Sequence, residues 1–284
     1  MTFKEILKQR LHHDLGFDFY RRAGVRRTME IYAKSSGILC GTVLVPDLVE
    51  ICESEFFLRP LKSEEQVRIS ANKKEGEEFQ EGDVLLTLEG DLEVLLKVER
   101  HVCDILGRLS GVATNTWEKV KKIEGTSVYL LDTRKDNPLD RQMDKHAITV
   151  GRARMHRAGF YDGTLIKDTD IDLYRGVKAA IDVRIEETKF LTKIEIEVET
   201  MERLEEVLAD GRADVILLDN MNPAKLRQAV ERVKKEKKPY VIEASGIGGN
   251  DLREVAETGV HFISLSSLVE GAKKRDISKR VVKL

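Results

Sequence analysis

Six cationic side chains, Arg134, Lys135, Arg152, Arg154, His156 and Arg157, crowd a short stretch of this chain. Flat, forked cations at such density suit an anionic ligand. The competing reading is a solvated charged face, in a chain whose charged fraction is 35%. Two placements favour the ligand. Arg134 and Lys135 follow directly on the apolar run Val128–Leu131, and His156-Arg157 precedes a second run that ends in Lys167-Asp168. Strand ends are where α/β proteins keep their chemistry. Glu197, Asp219 and Ser245-Gly246 close three later apolar runs in the same way. Glu195, Glu197 and Glu199 alternate, so they share one face of a strand. Alone they would suit a solvated face, but the register of Glu197 with Asp219 favours chemistry. His156, flanked by Arg154 and Arg157, is expected to sit in a field that disfavours its protonation.

Bulk properties narrow the class. The 284 residues are 41% hydrophobic with a formal net charge of -2, enough for one large domain and a smaller one. That near-neutral balance argues against general nucleic-acid binding and leaves the basic cluster to a small anion. The first ten residues carry charges throughout, which excludes a signal peptide or membrane span there and suits a short amphipathic helix. Cys40, Cys52 and Cys103 form no Cys-x-x-Cys pair, and their odd number argues against a disulfide framework and fits a reducing cytoplasm.

From about residue 127 onward, short β-branched runs alternate with charged amphipathic stretches, the pattern of repeated βα units. The expected strands are Val128–Leu131, Thr164–Ile166, Ile194–Val198, Asp214–Leu218, Tyr240–Glu243 and Phe262–Leu265. A doubly wound sheet is the alternative to a parallel barrel. Earlier residues form a separate β-rich unit, with strand-like pieces at Arg27–Ala33, Gly37–Val45 and Val67–Ser70, and a helix starting near Leu92. Leu109–Thr114 reads as helix packing and termination, its glycine marking a close approach of chains.

Several segments together resemble the quinolinate phosphoribosyltransferase family. They are Glu99-Arg100, Leu109–Thr116, Asp132–Lys135, His156-Arg157, Leu165–Asp168, Glu195–Glu199, Leu217–Met221, Ala244–Gly246 and Thr258–Val260. The resemblance implies an N-terminal α/β sandwich over residues 1–108, onto which residues 270–284 pack back, and an incomplete six-stranded α/β barrel over 109–269. It implies transfer of ribose 5-phosphate from phosphoribosyl pyrophosphate to quinolinate, with loss of carbon dioxide, giving nicotinate mononucleotide. Carried over by motif, Arg134, Lys135, His156, Arg157 and Lys167 line the quinolinate and phosphate pocket, and Arg100 reaches in from a partner subunit of a homodimer or larger assembly. Lys135, Glu197 and Asp219 are the implied catalytic residues. Glu197 and Asp219 also engage magnesium, directly or through water, and Ser245 and Gly246 offer donors to the 5-phosphate.

The chain also departs from the family pattern near the pocket. Asp136 and Leu139 replace expected residues, Gly151-Arg152-Ala153 stands where three glycines are usual, and Met155 follows. Thr169-Asp170 replaces an Asn-His pair, Leu15–Tyr20 replaces an early Gly-Asp signature, and Ser266 stands for a late glycine. Arg152 and Arg154 are expected to alter acceptor choice rather than donor binding. A related phosphoribosyltransferase with another pyridine or anionic acceptor, or a non-catalytic binding homologue, remain as alternatives. His12, His13, His101, His146 and His261 show no metal-ligand spacing and receive no role.

Overall fold

The computed structural model describes residues 2–16, 24–57, 66–137 and 140–282, so Phe17–Tyr20 and Leu139 lie outside the described residues. In chain order the first elements are α1 (Phe3–Leu15), β1 (Arg26–Ala33), β2 (Gly37–Ile38), α2 (Val45–Glu55), β3 (Arg68–Ala71), β4 (Glu78–Phe79), β5 (Val84–Asp91) and α3 (Leu92–Lys122). There follow β6 (Tyr129–Leu131), α4 (Arg141–Val150), β7 (Thr164–Ile166), α5 (Asp168–Leu173), α6 (Val177–Glu187), β8 (Ile194–Val198) and α7 (Met201–Asp210). The last are β9 (Val215–Asp219), α8 (Pro223–Val233), β10 (Val241–Ser245), α9 (Leu252–Ala256), β11 (Phe262–Ser264), α10 (Ser267–Glu270) and β12 (Ile277–Val282). They fall into two compact units. One comprises Met1–Trp117, Asp136–Arg152 and Leu268–Leu284, and the other Glu118–Lys135 and Ala153–Ser267.

The first unit is built on an antiparallel sheet in the order β12-β1-β5-β3, with β2 pairing β4 beside it. In β1 every second residue from Met29 to Ala33 is buried, as alternation requires when one face of a sheet is covered. The expected strand Gly37–Val45 is corrected. Only Gly37–Ile38 is extended, because Gly41 takes φ +102° and the chain then enters a 3-10 turn at Thr42–Leu44 and helix α2, with Pro46 in its first turn. A second correction concerns Leu109–Thr114, where α3 does not terminate but runs on to Lys122. The glycines there do mark close approach. A Cβ on Gly107 would lie 2.6 Å from the Arg275 carbonyl, and one on Gly111 would lie 2.5 Å from that of Lys273.

The second unit holds a parallel six-stranded sheet in the order β6-β11-β10-β9-β8-β7. β6 and β7 are its two edges and do not pair, so the α/β barrel is incomplete. Paired residues on neighbouring strands point to the same face. Ile196, Ile216 and Ile242 therefore share one face, fully buried, each contributing about 1.5–3 kcal/mol of hydrophobic stabilisation. Glu197, Leu217 and Glu243 share the other. Local signals set the helices between strands. Thr200 caps α7 by accepting from the Arg203 N–H, Gly211 ends it at φ +77°, and Asn222 caps α8 ahead of Pro223. Each strand is thus delivered to the sheet with its carboxyl end at one rim.

Candidate active site

Acidic groups gather where β8 and β9 end. Carboxylate oxygens of Asp168, Glu197 and Glu199 lie within 4.8 Å of one another. Asp219, the last residue of β9, adds a fourth carboxylate, and its charge is felt by Glu197. Burial first, and then Asp219, push the Glu197 pKa up, while Lys167, its Nζ 4.0 Å from a Glu197 oxygen, acts the other way. Asn220 ties the rim together. Held at φ +55°, it donates through Nδ2 to Asp219 at 2.6 Å and to Glu199 at 3.1 Å. Gly246, just past β10, explains its own identity. At φ +59° it passes so close to Asp219 and Asn220 that a Cβ there would overlap an oxygen of each. Helix α9 cannot offer its amino end to a phosphate unopposed, since Asp251 already caps it by accepting from Glu254 N–H. Donors to an anion here come from the glycine-containing turn 246–249 and the Ser245 hydroxyl.

The other cations stand on the segments that follow β6 and α4. Residues 154–156 run beside β6: Arg154 N–H donates to the Leu130 carbonyl at 2.9 Å, and Asp132 N–H donates to the Arg154 carbonyl at 3.2 Å. Asp132 then accepts the His156 N–H through its side chain at 2.7 Å. This pairing aims the His156 ring between β8 and β10, where Nε2 meets Glu195 at 2.8 Å and Glu243 at 3.5 Å. The expectation that arginine neighbours disfavour its protonation is therefore corrected. Burial alone would lower the His156 pKa, but the two glutamates outweigh it and push it up to about 10. Glu195 is not on a solvated face, being almost fully buried, and burial followed by Glu243's charge raises its pKa.

Arg157 is buried and donates to the Gly163 carbonyl at 3.0 Å. Its guanidinium and that of Arg134 approach the same exposed ring, Phe160, with centroid distances of 5.4 and 4.2 Å. Burial, and after it the charge of Arg134, lower the Arg157 pKa. Nε of Arg134 is buried without a hydrogen-bond partner. Two guanidinium groups sharing one phenyl ring are an arrangement that an anion relieves. A cavity of about 430 Å³ holds His156, Arg157, Glu195 and Glu243 and extends to Lys193, Val215 and Val241 at the amino ends of the strands, away from the rim where Glu197 and Asp219 stand. That is the size range of small-molecule pockets.

Of the residues singled out in the sequence, Arg134, His156, Arg157, Lys167, Glu197, Asp219, Ser245 and Gly246 all fall in the second unit. Lys135 is there too, exposed, its N–H bonded to the Thr133 hydroxyl. Arg100 belongs to the first unit, where it is exposed on α3, 3.8 Å from Asp104. Arg154 lays its guanidinium 3.3 Å from the Tyr129 ring centroid and lines the cavity, whereas Arg152 is exposed at φ +71°. Glu243 and the partner role of Glu195 were not read from the sequence, whereas Asp132 and Asp168 were placed at strand ends without a role of their own. A signal existed for Glu243, which stands two residues before Ser245 and so faces the same way.

The chain matches the family models for the N-terminal domain of quinolinate phosphoribosyl transferase over residues 14–110 and for its C-terminal domain over residues 112–280. It is 35% identical over 255 residues to a probable carboxylating nicotinate-nucleotide pyrophosphorylase of Bacillus subtilis, covering 89% of this chain and 82% of that one. A relative of the same description from Methanocaldococcus jannaschii is 33% identical and covers 98% of this chain and 97% of its own. The crystal structure of nicotinate-nucleotide pyrophosphorylase from Ehrlichia chaffeensis superposes with a TM-score of 0.86 at 26% identity, covering 99% of both chains. The chain belongs to the quinolinate phosphoribosyl transferase family.

Proposed function

We propose that this chain transfers ribose 5-phosphate from phosphoribosyl pyrophosphate to the ring nitrogen of quinolinate, with decarboxylation to nicotinate mononucleotide and release of pyrophosphate. One observation carries the reading: Glu197 and Asp219 stand at the ends of adjacent strands, His156 meets Glu195 and Glu243 on the sheet face that Glu197 shares, and Arg157 and Arg134 converge on one ring close to it in the chain. Quinolinate is a flat dicarboxylate, which matches the two arginines and the imidazolium. Glu197 and Asp219 accept from the ribose hydroxyls and face the positive charge that builds on the ribose carbon as pyrophosphate departs. Ser245 and the Gly246 turn donate to the 5-phosphate. Lys135 and Lys167 supply mobile cations for phosphate oxygens, and the protein's main task is to align the ring nitrogen with that carbon.

Asp168, Glu197, Glu199 and Asp219 would hold magnesium, directly or through water. The donor set fits, because hard carboxylate oxygens are what this ion prefers, and burial followed by the charge of Asp219 already raises the Glu197 pKa. When bound, the ion would offset charge on the pyrophosphate. The assembly in this reading is at least a homodimer, with Arg100 completing a neighbour's site. Exposed Phe160, Tyr161, Phe190 and Leu191 in the second unit supply apolar surface for association. Mixing Arg100→Ala with Lys135→Ala chains then restores activity through hybrid sites, and heterodimers without activity rule the shared site out. The place of action in this reading is the cytoplasm. Among the described residues no helix is long and apolar enough to cross a membrane, and the three cysteines are free and buried.

A second reading is a different anionic acceptor, since Arg152, Arg154 and Met155 stand just before His156-Arg157, where the chain departs from the family pattern. Pyrophosphate release measured with magnesium, phosphoribosyl pyrophosphate and a panel of pyridine carboxylates decides. Quinolinate as the preferred acceptor supports the first reading. Preference for another acid supports the second, and release with none of them indicates a binding homologue.

A further inference from the structure

We propose that Glu195 and Glu243 are positioning residues that keep the His156 ring doubly protonated, so that Nδ1–H always faces an anionic acceptor as a donor. The inference rests on the proposed function for the acceptor's charge but not for the state of the ring.

The geometry leaves the ring little choice. Its backbone is fixed by Asp132, and its Nε2 is fixed by Glu195 and Glu243, on β8 and β10. A neutral imidazole that gives its single proton to Glu195 through Nε2 has only a lone pair at Nδ1. That lone pair repels a carboxylate. Protonation therefore decides whether His156 attracts or rejects the acceptor, and two buried carboxylates on one ring nitrogen favour the cation. The other charged groups facing this region are Arg157 and Arg154 alongside it, with Asp162 and Lys193 at the cavity wall. Glu195 and Glu243 each keep one buried oxygen without a hydrogen-bond partner. Carboxylates serving the fold alone would use both oxygens. Here the two unpartnered oxygens belong to the very groups that meet the ring.

The test compares Glu195→Gln, Glu243→Gln and the double variant with the parent chain across pH. In the parent, the quinolinate KM is flat from about pH 6 to about pH 9; in the double variant it stays near the parent value at about pH 6 and rises about tenfold per pH unit above about pH 7, with the donor KM unmoved. A loss of equal size at every pH, or a profile like the parent's, overturns the proposal. A second measurement needs no substitution. Nitrogen NMR of the ring, assigned with a His156→Gln chain, reads both ring nitrogens protonated at about pH 8 in the resting parent protein, where an ordinary histidine is neutral. A neutral ring overturns the clamp even if quinolinate turns over. A charged ring in a chain without turnover leaves the clamp standing and removes the proposed function.

Discussion

Each compact unit contains a carboxylate–histidine cluster, and the two are built on opposite plans. In the first unit, Glu75 accepts from the Gly41 and Thr42 N–H groups at 2.8 Å each, from the Thr42 hydroxyl, and from His146, whose Nε2 lies at 2.8 Å. Both oxygens are in use. Burial acts to raise its pKa, but these donors, His146 foremost, bring it down to about 2. Cys40, close enough to join Glu75 and His146 around a metal, points its thiol at the same carboxylate, and burial with the charge of Glu75 pushes that thiol's pKa up. In the second unit, Glu195 and Glu243 surround His156 and each leaves one oxygen without a partner. Backbone donors that saturate a carboxylate make it part of the fold. Half-satisfied carboxylates around a cation hold that cation ready for something else.

This contrast is sharpened first by separating activity from stability at the rim beside the second cluster. Glu197→Ala or Asp219→Ala should lower turnover by about 100-fold or more with a much smaller change in Tm, because in the proposed function both face the charge that develops on the ribose carbon. Unchanged turnover in both variants contradicts the assignment. Glu75→Ala should do the reverse. It strands the N–H groups of Gly41 and Thr42, costs about 3 kcal/mol, and lowers the Tm by several degrees, while turnover per folded molecule persists. A pure loss of activity there would erase the distinction between the clusters.

The pH dependence of unfolding divides them next. The Glu75 carboxyl is depressed, so its contribution is present above the ordinary value of 4.5 and is lost as pH falls toward about 2. His156 is raised, so its contribution is complete below 6.5 and is lost as pH rises through about 10. Denaturant titrations should show Glu75→Gln flattening the acid limb and His156→Gln the alkaline limb; exchanged effects would contradict the assignment of each limb. The smallest effect is at Arg152. Its φ of +71° suits glycine, so Arg152→Gly should raise stability by about 1 kcal/mol. A lower Tm would mean that the arginine makes a contact worth more than the strain.

Much of the second unit was legible because alternation, caps and turn glycines act locally. Ile194–Val198 and Thr164–Ile166 stand as their β-branched runs suggest, and Thr200, Gly211 and Asn222 punctuate the helices. The misreading at Gly37–Val45 has a nonlocal cause. Glu75, more than thirty positions along the chain, holds the Gly41 and Thr42 N–H groups in a turn that the apolar run does not announce. The protonation of His156 was hidden for the same reason. Its sequence neighbours are arginines, but β8 and β10 bring two glutamates to its ring. Arg134 and Arg157 were recognisable as cations, yet their convergence on Phe160 depends on a loop whose path no periodicity encodes.

The central claim is that this chain joins quinolinate to ribose 5-phosphate and releases its 2-carboxylate. Quinolinate carrying an isotopic label in that carboxylate, incubated with the chain, magnesium and phosphoribosyl pyrophosphate, tests it most directly. The account predicts labelled carbon dioxide, nicotinate mononucleotide and pyrophosphate in equal amounts, with none formed when the donor is omitted. Pyrophosphate release without labelled carbon dioxide, or no reaction by a folded chain, would contradict it.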